Sequence, residues 1–187
     1  MRRVLLATGN AHKVEEVQAI LGGDVMVEGR DTGVDETGAT FEENALLKAR
    51  ALAEATDELA VADDSGIEID HLDGRPGIHS ARWASEGDWI PKVLRELDGV
   101  PAERRTCRYV CAAAAVWPDG REEVVRGTVA GVVVDAPRGD GGFGYDPIVA
   151  PVEGDGRTFA EMTADEKHAI SHRARAFRLL WARLTSP

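Results

Sequence analysis

Four short stretches of the sequence combine residue types that can handle phosphates, divalent metals or purine bases. Thr8-Gly9-Asn10-Ala11-His12-Lys13 lies between an apolar run and a segment of helical periodicity. Free backbone N–H groups and the positive end of a helix dipole make such a position an anion site. Gly9 allows close approach, Asn10 can cap or donate, and Lys13 brings charge. The stretch lacks the G-x-x-x-x-G-K-[ST] spacing of a Walker A loop, and a capped turn with a solvated lysine would read the same way. Ala62-Asp63-Asp64-Ser65-Gly66 follows directly on a second apolar run. Ligands bind at the C-terminal ends of strands in α/β sheets, and adjacent carboxylates repel unless a cation is near. Mg2+ takes oxygen ligands and joins carboxylates to substrate phosphates. The plain alternative is an acidic turn, for which Asp-Asp-Ser-Gly is well suited.

Gly141-Gly142-Phe143-Gly144-Tyr145-Asp146-Pro147 sets two aromatics among glycines. Phe143 can lie against a purine, and Asp146 can accept a hydrogen bond from a base N–H. The alternative is a loop whose aromatics anchor it to the core. In Lys167-His168-Ala169-Ile170-Ser171-His172-Arg173, three potential cations, Lys167, His172 and Arg173, flank an apolar stripe and could serve phosphate or a base carbonyl. A basic solvated face is the safer reading of that segment alone. Asn44 and Lys48, four apart, share a helix face, and a surface pair is the default for them. Glu36, in a loop, says little by itself.

Elements must position these residues. Val4-Leu5-Leu6-Ala7 reads as a buried strand. From Ala11 the apolar residues Val14, Val17, Ile20 and Leu21 recur at helical spacing until Gly22-Gly23. A short strand is expected at Val25-Met26-Val27. Thr40-Phe41-Glu42-Glu43 reads as a capping box opening a helix that continues to about Ala55. Leu59-Ala60-Val61-Ala62 reads as a strand ending at Asp63, with a separate, half-exposed strand at Ile67–Asp70 after the turn. Residues 86–98 read as a short helix. Residues 106–117 and 122–134 read as strands joined by a Pro118-Asp119-Gly120 hairpin turn. Thr163-Ala164-Asp165-Glu166 is a second capping box, opening one helix with apolar residues at 170, 174, 177, 181 and 184. This order of elements indicates an α/β fold with a mixed central sheet, and residues 1–187 read as a single domain.

Composition narrows the partners. A chain of 187 residues, 43% of them hydrophobic, can bury a proper core. The formal net charge of −11 argues against non-specific binding of nucleic acid. It leaves a nucleotide substrate possible, provided that cations gather locally. No apolar run approaches the roughly 18 residues that span a bilayer. The first apolar stretch is too short for a signal peptide. A cytoplasmic protein with no membrane partner is expected, and Cys107 and Cys111 fit a reducing compartment.

Six motifs then stand in order along nearly the whole chain: T-G-N-x-x-K at 8–13, T-F-x-E-N-A-x-x-K-A at 40–49, A-D-D-S-G at 62–66, G-x-P-G-x-x-S-A-R at 74–82, G-G-F-G-Y-D-P at 141–147 and A-E-M-T-x-x-E-K-x-x-I-S-H-R at 160–173. Together they resemble the inosine-triphosphate pyrophosphatase family, the Ham1-type hydrolases that clear damaged nucleotides. The resemblance implies an elongated, two-lobed form of the α/β fold with the active site in the cleft between lobes, and a homodimer. It also implies a nucleotide-binding, magnesium-dependent hydrolase of nucleotide metabolism, converting ITP, dITP or XTP to the monophosphate and pyrophosphate. By the same resemblance, Thr8, Gly9, Asn10 and Lys13 would bind the triphosphate. Glu36 and Asp64 would hold Mg2+. Asp64 would help to activate water, supported by Asp63 and Lys48, and Ser65 would touch substrate. Phe143, Gly144, Tyr145 and Asp146 would form the base pocket, with Lys167, His172 and Arg173 reaching the 6-oxo purine or its phosphates. One departure is Ser85-Glu86-Gly87-Asp88-Trp89, which is shorter than the family's usual acidic stretch, with Trp89 and Pro91 unusual there.

In the implied mechanism Mg2+ held by Glu36 and Asp64 would offset phosphate charge, and cleavage would fall between the α and β phosphorus atoms. Lys13 and Lys48 stabilise charge on phosphate oxygens. Two rivals remain at this level. One is a pyrophosphatase for pyrimidine or methylated nucleotides similar to the Maf-type proteins. The other is a nucleotide sensor that has lost hydrolysis.

Overall fold

The computed structural model describes residues 2–85 and 87–186. Its elements run β1 (Arg2–Ala7), α1 (Ala11–Leu21), β2 (Val25–Arg30), α2 (Phe41–Thr56), β3 (Ala60–Ile69), α3 (Trp89–Glu96), β4 (Thr106–Val116), β5 (Glu122–Val133), β6 (Val149–Pro151), α4 (Ala164–Ile170) and α5 (His172–Thr185), with short 3-10 turns between them. One mixed sheet holds the six strands in the order β2-β1-β3-β4-β5-β6. β1 is parallel to β2 and to β3, and β5 is antiparallel to β6. The residue 86 end of the expected 86–98 helix lies outside the described residues; the helix itself spans Trp89–Glu96. The chain forms two compact units. The first is Met1–Asp64, Cys111–Gly127 and His172–Pro187; the second is Ser65–Val110 and Thr128–Ser171.

In the first unit the core gathers Val4, Leu6, Val17, Val25, Val27, Val61, Ala113, Phe177 and Leu180. Strands of a parallel sheet are covered on both faces and need continuous apolar runs, which is why Val4, Leu5, Leu6 and Ala7 are all buried. Each fully buried Leu or Val contributes about 1.5–3 kcal/mol. The Asn10 side chain caps α1 by accepting the Lys13 N–H at 3.3 Å, and Gly22, at φ +86°, ends it. In α2, the Thr40 hydroxyl accepts the Glu43 N–H at 3.1 Å. The Glu43 carboxylate takes the Ala39 N–H at 2.6 Å, one residue earlier than the Thr40 N–H that a full capping box would use. The box at Thr163 is complete: its hydroxyl accepts from Glu166 N–H, and Glu166 reaches back to the Thr163 N–H at 2.8 Å.

The second unit has its own core, from Ile67, Ile69, Val93, Leu97, Tyr109, Val129, Tyr145, Ile148 and Phe159.

Two sequence expectations need correction. Asp63-Asp64-Ser65-Gly66 is not a turn between two strands but the middle of β3. Turn residues stay extended here because β3 lies inside the sheet between β1 and β4, and each buried carboxylate finds side-chain partners from other elements; tertiary context overrides local propensity. The last helix is broken. Ser171 is extended (φ −63°, ψ 151°), and its N–H closes α4 on the Lys167 carbonyl at 2.9 Å. The apolar stripe is the reason: Ile170 packs on the second unit's core, while Phe177, Leu180, Trp181 and Leu184 belong to the first unit's.

Candidate active site

The first unit concentrates charge around the middle of β3. Successive strand residues point to opposite faces, so Asp63 and Asp64 meet different partners. Asp63, 1% exposed, accepts from the Lys13 ammonium at 3.0 Å and the Arg173 guanidinium at 3.4 Å. Arg173, equally enclosed, also donates to Glu16. The Cys111 thiol approaches Asp63 at 3.9 Å. Burial pushes the Asp63 carboxyl up, but Lys13, Arg173 and Lys48 outweigh it and hold the group well below the usual carboxylate range.

Asp64 accepts from Asn44 Nδ2 at 3.0 Å and lies 3.8 Å from the Lys48 ammonium. Lys48 donates to Glu36 at 2.6 Å. Two carboxylates from separate stretches therefore converge on one cation. Burial, with the like charge of Glu36 adding to it, raises the Asp64 carboxyl above its ordinary value despite Lys48. Lys48 is pushed down by burial but drawn up more strongly by Asp63, Asp64 and Glu36. The loop carrying Glu36 is pinned to α2, since Asn44 accepts the Gly38 N–H at 2.8 Å while donating to Asp64. A Cβ on Gly38 would sit 2.7 Å from Asn44 Oδ1, so this close approach demands glycine. Asn44 is buried, not half of a surface pair.

Four carboxylates (Glu16, Glu36, Asp63, Asp64) thus face three cations (Lys13, Lys48, Arg173), a surplus of one negative charge. Among the described residues no group of three or more His, Cys, Asp or Glu forms a metal cluster. Mg2+ needs less from a protein: one or two carboxylates and the substrate's phosphates. The hard oxygen donors of Glu36 and Asp64 and the negative surplus fit such an ion. Thr8, Gly9 and Asn10 form the turn before α1, where the Thr8 hydroxyl accepts the Asn10 N–H at 3.1 Å. Lys13 belongs to that helix, but its ammonium points to Asp63. His172 is the first residue of α5 and is buried.

In the second unit Asp146 organises the glycine-rich loop. Its Oδ2 accepts from the Lys167 ammonium at 2.7 Å and from the Phe143 N–H at 2.9 Å. Its Oδ1 accepts from the Tyr109 hydroxyl at 3.2 Å. Lys167 also lies 4.9 Å from the centre of the Phe143 ring, a cation–π contact. A Cβ on Gly142, at φ +67°, would stand 2.1 Å from Asp146 Oδ2, so only glycine lets the loop close over this carboxylate. Tyr145 is buried and donates to the Ser80 carbonyl at 2.8 Å, anchoring the loop. Gly144 follows Phe143 at φ +62°. Ser65, partly buried, sits in β3 immediately after Asp64.

Glu16 and Tyr109 were missed in the sequence. A signal existed for Glu16, an acid one residue from Val17 in an apolar stripe. Tyr109 had none, being one apolar-patterned residue in a strand.

A family model for the Ham1 family matches residues 4–183. The dITP/XTP pyrophosphatase of Symbiobacterium thermophilum is 51% identical over 98% of this chain and 95% of its own length. That of Streptomyces coelicolor is 52% identical over 96% of each. Among solved structures, the Ham1 protein of Staphylococcus aureus superposes with a TM-score of 0.84 at 38% identity, covering 98% of both chains. A HAM1 protein from Coxiella burnetii reaches 0.86 at 36% identity, covering 99% of both. Sequence, mixed six-stranded sheet and full-length superposition agree, and the chain belongs to the Ham1 family.

Proposed function

We propose that this protein hydrolyses damaged purine nucleoside triphosphates, dITP, ITP and XTP, to the monophosphate and pyrophosphate. The observation that carries the reading is the convergence of Glu36 and Asp64 on Lys48. The family, and the dITP/XTP pyrophosphatase names of close relatives, support it.

A water oxygen attacks the α-phosphorus, and the bond to the oxygen bridging toward the β-phosphorus breaks. Asp64, held by Asn44, takes the proton of that water. Lys48 and Lys13 face the charge that builds on phosphate oxygens. Asn44 fixes Asp64, and Arg173 fixes Asp63, so the acids are held before substrate arrives. Glu36 and Asp64 are the residues that would hold Mg2+, which when bound offsets phosphate charge and acidifies water. The purine stacks on Phe143. Lys167 covers one face of that ring, so the base takes the other. A 6-oxo group needs a donor where adenine needs an acceptor, and a buried mismatch is costly. His172 is the donor we assign to that edge. A cytoplasmic homodimer belongs to the same reading; among the described residues no helix is long and apolar enough to cross a membrane.

The test is a panel of dITP, ITP, XTP, the ordinary purine and pyrimidine triphosphates, and methylated ones, with Mg2+ or EDTA, scoring pyrophosphate. Pyrophosphate from the inosine and xanthine nucleotides, abolished by EDTA, is expected. Preference for pyrimidine or methylated nucleotides, immediate orthophosphate, or binding without turnover each overturns the proposal.

A further inference from the structure

We infer that Tyr109 is a positioning residue for base binding: its hydroxyl fixes the Asp146 carboxylate, which in turn sets the Phe143 backbone and the Lys167 ammonium. This rests on the reading that the Phe143 loop takes the purine. Tyr109 lies on β4, outside every motif that marks the loop, and it is buried. Its ring packs on Phe159 with centroids 5.6 Å apart, and its hydroxyl meets Asp146 Oδ1 at 3.2 Å.

The geometry of Asp146 gives the reason. Two donors, Lys167 and the Phe143 N–H, converge on Oδ2. Both hold the carboxylate through that one oxygen. The Tyr109 hydroxyl holds the other oxygen, and three donors on two oxygens define one rotamer. That rotamer is also the one Gly142 packs against. A carboxylate holding three donors has little capacity left to read a base edge. Its role is to lock the stacking ring and the lysine in the loop. The phenol is suited to this task, because burial and then Asp146 itself push its ionisation well above the ordinary range, so it remains a donor.

Tyr109→Phe keeps the ring and removes only the donor. Steady-state kinetics with dITP and XTP should show KM raised roughly tenfold, the scale of one hydrogen bond to a charged group, with kcat changed less than about twofold. A purely structural tyrosine would change the melting temperature without this split. A second readout needs no variant: in the wild-type protein the Tyr109 hydroxyl proton should give a slowly exchanging low-field resonance showing dipolar contact with Phe159. An unchanged KM, a fall in kcat alone, or absence of that resonance overturns the inference. Failure of the wild type to hydrolyse dITP or XTP is a separate outcome, and it overturns the functional reading on which the inference rests.

Discussion

The two units bury charge in different ways. Around Asp63 and Asp64, four carboxylates and three cations share one neighbourhood, and every acid touches a base. Around Asp146 there is one acid and one base, and the remaining partners are a backbone N–H and a phenol. Burying ions is expensive unless each is paired and hydrogen-bonded. The first unit retains that expense where a triphosphate and a metal would bring more charge. The second limits it to what is needed to hold an aromatic ring, as suits an uncharged base. On the proposed reading, chemistry falls to the first set of residues and recognition to the second, and mutations should separate them.

Asp64→Asn should have the largest effect, a fall in kcat of about 10³-fold, within the range for losing a general base. Pyrophosphate release measures it, and circular dichroism should remain native. Comparable loss from a change at the aromatic loop would break the contrast. Asp63→Asn should come next, destabilising the fold by about 3 kcal/mol in urea melts, because Lys13 and Arg173 lose a buried counter-charge. The sign of its pH dependence follows from the depressed carboxyl. Its stabilisation is present above the ordinary aspartate value of 3.8 and is lost as pH falls below it, so wild type and variant should converge in acid. A gap that widened in acid would remove Asp63 from this role. Asp146→Asn should have the smallest effect of these three, raising KM for dITP roughly thirtyfold, or about 2 kcal/mol, with kcat nearly kept. A larger effect on kcat than on KM would erase the division between the units.

Much of this was legible from residues alone. The strand–turn–helix of residues 2–21, the hairpin at Pro118-Asp119-Gly120 and the second capping box follow local rules, and the structure has them. What the sequence hid were outcomes decided by distant partners. Asp63-Asp64-Ser65-Gly66 has turn composition, but it lies within a strand inside the sheet, where Lys13, Lys48, Asn44 and Arg173 meet its two carboxylates. The interruption at Ser171 carries no glycine or proline to announce it; it is visible only once Ile170 and Phe177 are known to serve different cores. Asn44 looked like a surface residue because its partners, Gly38 and Asp64, lie 6 and 20 positions away.

The alternation of β3 has an evolutionary corollary. The strand is keyed to β1 through Leu5↔Ala60 and Leu6↔Val61, and the two acids follow within three residues. Inserting or deleting a single residue between Val61 and Asp63 would exchange the sides on which the acids emerge. The carboxylate meant for Lys13 and Arg173 would then face Asn44 and Lys48. Length variation among descendants of this gene should therefore be absent between positions 61 and 64, and tolerated in the connections on either side.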